Sequence, residues 1–220
     1  ETISPTADLL WGALAGLLGM VGLGFLLRGF TAGRMGIVAP VSASLAAAVP
    51  VLFTALTEGL PGQEKLLGFG LALVGIWLLS RPEALSGRPA GLGLALAAGL
   101  GFGGFFIALD QIGEDAVFWP LAVGRLVCCV LMLAYALARR QPVRVPRALL
   151  GVIALAGVLD VAGNLFFLLA TQIGRLDVAT VLGSLYPAVT ALLAWWIARE
   201  KIAPGQVPGV DTAVAAIVVI

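Results

Sequence analysis

Histidine is absent from the 220 residues, cysteine occurs twice, and charged residues make up only 11%. Each scarcity excludes something. A soluble domain covers its core with charge and commonly carries about 25% charged residues. A chain with less than half of that has no water-facing shell to build. Without histidine, and with Cys128 and Cys129 adjacent inside an apolar stretch, neither a metal site nor a disulfide framework is supported. The two thiols are expected to behave as small lipid- or core-facing side chains. Glu114-Asp115 is the one adjacent acidic pair, and it lies between apolar segments. Clustered groups for catalysis in a membrane are therefore lacking, so no enzymatic role, metal or cofactor is expected. A formal net charge of +1 points to no nucleic-acid partner.

What is abundant is apolar: 60% of the residues are hydrophobic. Transmembrane strands would alternate apolar and polar residues over about 10 positions. Here the apolar runs are unbroken and mostly about 20 residues long, the length of a helix crossing the hydrocarbon core. Eight segments are read: 9–27, 37–56, 66–79, 90–109, 117–138, 148–169, 178–198 and 207–220, the third and last of them short. Breakers such as Arg81-Pro82 and Pro142 to Pro146 fall between segments. The expectation is an all-α polytopic membrane protein. Arginine and lysine collect in loops 28–34, 81–88, 139–147 and 199–201, whereas the alternate loops hold Lys65 and Arg175. The positive-inside rule puts the first group in the cytoplasm of a bacterial-type inner membrane. Both chain ends then face outward.

An internal repeat organises the chain. Gly22, Phe25, Leu27 and Gly33-Arg34 recur as Gly163, Phe166, Leu168 and Gly174-Arg175 at the same spacing. Ser42, Ala46 and Glu58 fall opposite Ser184, Ala188 and Glu200 with a one-residue adjustment, and Gly68 opposite Gly209. The copies start an odd number of segments apart, so the second enters the membrane from the opposite face. Inverted repeats of this kind are the usual build of secondary transporters. Two helices, 90–109 and 117–138, precede the second copy without a counterpart in the first. The expected division is an incomplete first repeat of three helices (1–80), a linker (81–89) and a second repeat of five (90–220). The initial Glu1 and the apolar final run Ala215–Ile220 fit a chain whose first two helices and extreme C-terminus are missing.

The sequence resembles the EamA-type transporters of the drug/metabolite transporter superfamily. The resemblance rests on Pro120–Arg125 opening a helix, on Ala179 with Ser184-Leu185-Tyr186-Pro187-Ala188-Val189-Thr190-Ala191-Leu192, and on the charged turn Arg199-Glu200-Lys201-Ile202. In the first half it rests on 37–58, closed by Glu58-Gly59-Leu60, with Pro50 displaced relative to Pro187. It implies two inverted repeats of five helices each and transport of a metabolite, amino acid or drug-like compound. Two departures stand out: the opening helices of the first repeat are lacking, and the arginine distribution implies the orientation opposite to that family's usual cytoplasmic termini.

Ionisable groups within the bilayer cost about 2.5–3.5 kcal/mol each and are functional candidates for that reason. Arg125 lies about eight residues into its helix and Asp160 about ten from the same side, roughly 12–15 Å deep. They can pair. Arg125 then either binds an anionic substrate group or clamps two helices, and Asp160 either exchanges a proton or serves that clamp. Asn164, one turn beyond Asp160, either lines a solute path or bonds between helices. Ser184, Tyr186 and Pro187 share one helix, where proline frees a carbonyl; Pro187 and Pro50 are kink or gate candidates. Trp119, beside Pro120, is a candidate pocket wall, whereas Trp11, Trp77, Trp195 and Trp196 read as interface anchors. Gly99 to Gly104 superficially suggests a phosphate loop, but inside a span it reads as close helix packing, as does Gly12…Gly16. Glu58 and Glu200 read as loop-orienting residues. Expected partners are a small-molecule substrate and the lipid bilayer, with a homodimer an allowed assembly. A passive channel, a scaffold and a membrane-embedded enzyme are the competing classes.

Overall fold

The structure, a computed structural model, describes residues 6–32, 35–79, 91–113, 116–140, 146–185, 189 and 207–220. In lipid no water satisfies exposed backbone groups, so a spanning chain must close its hydrogen bonds within each segment. The described residues do this with helices: α1 (Thr6–Ala32), α2 (Met35–Thr57), α3 (Gln63–Leu79), α4 (Leu92–Asp110), α5 (Phe118–Ala138), α6 (Leu150–Ile173), α7 (Leu176–Ser184) and α8 (Val207–Val219). A 3-10 turn, Arg147–Leu149, leads into α6. No strand occurs among the described residues. Among the described residues, five stretches are long and apolar enough to cross a membrane: Thr6–Ala32, Val38–Thr57, Leu92–Asp110, Phe118–Ala138 and Arg147–Ile173. The expected all-α polytopic membrane architecture is what the chain adopts.

Glycine and alanine set how closely these helices approach. Gly12 and Gly16 of α1 lie so near Pro120 and Gly124 of α5 that an added Cβ would run into their backbone carbonyls. The order of those contacts makes α1 and α5 run parallel. Gly22 packs on Ala98 and Phe102, and Gly29 beside Leu94, so α4 runs antiparallel to α1. Alternate glycines of α4 serve different neighbours: Gly101 faces Gly22, while Gly99 and Gly103 receive Leu45 and Val49 of α2. The glycine run 99–104 is thus a packing device, as the sequence suggests. Apolar burial between helices has little driving force in lipid, so close van der Waals fit of small residues carries this association.

Two clusters of side chains result. Ala15, Ala108, Leu109 and Leu168 of α1, α4 and α6 gather with Ile112 and Ala116, which lie between α4 and α5. Ala43, Phe69, Ala72, Ile76, Val181, Leu185, Ala213 and Ala216 gather α2, α3, α7 and α8. In the second, Gly68 lies on Ile220 and Gly75 on Ala213, so α3 and α8 are antiparallel. The repeat relation maps α3 onto α8 and α2 onto α7, so this cluster joins each helix to its own counterpart. The start of α1 and the end of α6 lie at the same membrane end, both tied to Gly113. α1 and α6 therefore run in opposite senses, as inverted copies must.

Candidate functional site

The arginine distribution distinguishes the two membrane ends. The starts of α1, α3, α5 and α7 and the ends of α2, α4 and α6 lie at the arginine-poor end. Among the described residues, one ion pair sits between the ends, Arg125 of α5 with Asp160 of α6, Nη2 to Oδ2 at 2.6 Å. The sequence brings these residues to comparable depth, and the structure joins them. Asp160 is deeper than the segment reading suggests, because α6 runs on to Ile173 and places it about 20 Å from that helix end. The long Arg125 side chain takes up much of the difference. The pair is not enclosed by protein: the two side chains are 39% and 60% exposed. It stands on the flank of the bundle, where α6 and the turn that leads into it are exposed at every position from 147 to 161.

The other candidates divide by what they touch. Asn164 donates its amide to the Asp160 carbonyl of its own helix at 2.9 Å. Ser184 is buried and donates to Val181 O, as its repeat counterpart Ser42 donates to Ala39 O. Both serines thus satisfy themselves locally, three residues back. Pro50 is buried inside an unbroken α2, and Thr54 Oγ1 donates to its carbonyl at 2.9 Å. Trp119 is exposed at the start of α5 beside buried Pro120. Tyr186 and Pro187 lie outside the described residues, as do Trp195, Trp196 and Glu200. Cys128 donates its thiol to Gly16 O at 3.1 Å and so stitches α5 to α1, while Cys129 is exposed. Among the described residues no His, Cys, Asp and Glu cluster of metal-holding type occurs.

The sequence reading overlooks a second charged group, at the arginine-poor end. Arg175 precedes α7 with extended backbone, and Asp177 is the second residue of that helix. Asp177 is fully buried, accepts from its neighbour Val178 N at 2.8 Å, and receives Arg175 Nε and Nη2 at 3.0–3.3 Å. A carboxylate in the first turn of a helix is also favoured by the helix dipole. From that anchorage Arg175 reaches the end of α2. Its Nη2 donates to Gly59 O at 3.1 Å and its Nη1 lies 3.5 Å from Glu58 Oε2. Hydrogen bonding to Asp177, with the charges of Asp177 and Glu58, raises the Arg175 pKa further, so it is a cation at any physiological pH. At the same membrane end, Gly113 N–H donates to Asp8 of α1 and its carbonyl accepts from Gln172 of α6. The local signal for Asp177 was legible: an acidic residue two positions after an arginine at a helix start. Asp8 and Gln172 carried no such signal, because their partner is a backbone group far away in sequence.

Comparisons with known proteins agree with this architecture. Fourteen solved chains match. One, a crystal structure, superposes with a TM-score of 0.78 at 17% identity, covering 99% of this chain and 76% of that one. At that identity the likeness speaks for the fold. No curated protein matches. The sequence description of the EamA-like transporter family matches residues 89–220, more than half of the chain. With its apolar spanning helices and this family match, the chain is an integral membrane protein that belongs to the EamA-like transporter family, within the drug/metabolite transporters.

Proposed function

We propose that the protein is a secondary carrier that moves a small metabolite, amino acid or drug-like compound by alternating access between its two inverted repeats. The observation that carries this reading is the Arg125–Asp160 pair, held between α5 and α6 in the middle of the span with both side chains partly uncovered. Two charges facing hydrocarbon would be costly even when paired. Polar surroundings, a solute path or further polypeptide, remove that cost. In the carrier reading Arg125 takes an anionic group of the substrate and Asp160 exchanges the coupling proton as the guanidinium leaves it. The local hydrogen bonds of Asn164 and Ser184 favour a structural role for those two. The loops 28–34, 81–88, 139–147 and 199–201 face the cytoplasm of a bacterial-type inner membrane in this proposal, in line with their arginines.

The test is binding followed by flux. Melting temperature of the purified protein is measured against a metabolite panel, where a ligand of the folded state raises it by mass action, adding about 2.7 kcal/mol of stability at one hundred times Kd. The hit is then assayed in proteoliposomes across a pH gradient. A saturable shift, with pH-driven uptake lost in Asp160→Asn, is the expected result. Uptake in Asp160→Asn with unchanged pH dependence would remove Asp160 from the coupling, and linear uptake up to high concentration would favour a channel.

A further inference from the structure

The cluster at the arginine-poor end joins the two repeats, and its two halves are built differently. Asp177 and Arg175 belong to the same helix start, and the carboxylate is fully buried with three hydrogen bonds from the guanidinium. That half is fixed, since parting it would leave a buried charge alone. The other half crosses from the second repeat to the first. It consists of one hydrogen bond to Gly59 O and one ion pair at 3.5 Å to Glu58, whose side chain is 48% exposed. Such a contact is cheap to break and to remake. Gly59 adopts φ 88°, in the left-handed region that glycine enters freely, so the chain can turn there beneath the guanidinium. Among the described residues, Arg175–Glu58 is the ion pair that links residues 1–80 to residues 90–220.

We propose that the Arg175 contact with Glu58 and Gly59 is a releasable latch closing the arginine-poor end of the path between α2 and α7, with Asp177 the buried anchor that holds the arginine in place. It rests on the carrier reading for its purpose and on the geometry for its existence. α2 and α7 are repeat counterparts packed against each other, and the repeat relation makes them the pair whose separation would open a path between the copies. A strong anchor within one body and a weak contact to the other is what a gate requires. The closed state gains order without trapping the carrier. The repeat itself is unequal here: Gly36 stands in the first copy where Asp177 stands in the second, so the anchor is peculiar to this end.

The latch is read by accessibility rather than by flux. Thr180, fully buried one turn into α7, is replaced by cysteine in a protein carrying Cys128→Ser and Cys129→Ser. Labelling by an impermeant thiol reagent is timed in reconstituted vesicles of either orientation. Glu58→Gln is expected to speed labelling about two- to five-fold, the scale of a half-exposed ion pair. Arg175→Gln is expected to speed it by about ten-fold or more, since it also strands the anchor. The rise should be confined to the orientation that presents Lys65 to the reagent, and Arg175→Lys should recover part of it. Unchanged labelling in Glu58→Gln, whose side chain is exposed enough to be replaced without unfolding, overturns the latch. So does a rise equal in both orientations, which reports general loosening. Faster one-sided labelling in a protein that transports nothing would keep the latch and sink the carrier reading. Saturable transport with unaltered labelling would do the reverse.

Discussion

α1 and α6 share a spacing of residues, and they live in different surroundings. The spacing that carries Gly22 to Gly163 carries Gly16 to Gly157 and Gly19 to Asp160. In α1 the small residues are a contact surface: Gly12, Ala15, Gly16, Gly22 and Gly29 are buried, under α4 and α5. In α6 only Leu168 and Thr171 are buried, and nothing lies within 4 Å of a Cβ added at Gly157 or Gly163. A small-residue stripe is thus a capacity for close packing, and a neighbour decides whether it is used. In lipid an uncovered leucine costs nothing, because the tails are equally apolar. An uncovered carboxylate does, so the consequence of the difference is concentrated at one residue.

The sharpest way to break the comparison is to give both helices the same side chain. Gly16→Leu places atoms inside the backbone of Gly124, which cannot rotate away as a side chain can. Loss of well over 3 kcal/mol, read as failure to yield monodisperse protein, is expected. Gly157→Leu in the same chain should shift stability by less than about 0.5 kcal/mol. Equal damage at both positions would mean that α6 is covered in the folded protein after all.

Next in size is the ion pair. Asp160→Asn leaves the Arg125 guanidinium without its counter-ion, and Arg125→Gln leaves the carboxylate. Each single change is expected to cost about 2–3 kcal/mol in a bilayer. The double change should cost less than either, because no lone charge remains. A double-mutant cycle in reconstituted protein measures the coupling. Additive effects would show that each group already has other polar company, and would place the pair in water rather than lipid.

These contrasts bear on what the sequence can disclose. The helical fold, membrane class and family were legible because they depend on composition and order, above all on unbroken apolar runs; of the eight spans read, five are long and apolar enough among the described residues. The pairing of Arg125 with Asp160 was legible for the same reason, since depth follows from counting residues along a helix. Whether that pair is enclosed was not, because small residues such as Gly16 and Gly157 stand at matching positions of α1 and α6 and only their neighbours show which are covered. Asp177 escaped notice since burial of a residue beside a loop depends on how α7 sits against α2. Gly113 escaped because its contacts to Asp8 and Gln172 are made by its backbone, to which the side-chain pattern is blind.

Two smaller effects sharpen the comparison further. Cys128→Val removes the thiol bond to Gly16 O but fills similar space, and should cost about 0.6 kcal/mol, the usual worth of an interhelical hydrogen bond in a membrane. Cys128→Ser, which keeps a donor, should cost less.

The smallest effect is expected at Asn164. Its counterpart in α1 is Leu23, which is exposed, whereas the counterpart of Asp160 is Gly19, which packs against the Phe105 ring of α4. One turn therefore separates a position on the contact stripe from a position beside it. Asn164 uses its amide on the Asp160 carbonyl of its own helix, a bond that leaves no other helix unsatisfied when it is lost. Asn164→Leu recreates the α1 residue on a lipid-accepting face, so stability should change by less than about 0.5 kcal/mol. A loss as large as that of Cys128→Val, measured in the same bilayer, would mean that the amide reaches a second helix. The face of α6 beside the stripe would then be an interface too, and the likeness to α1 would end at Gly163.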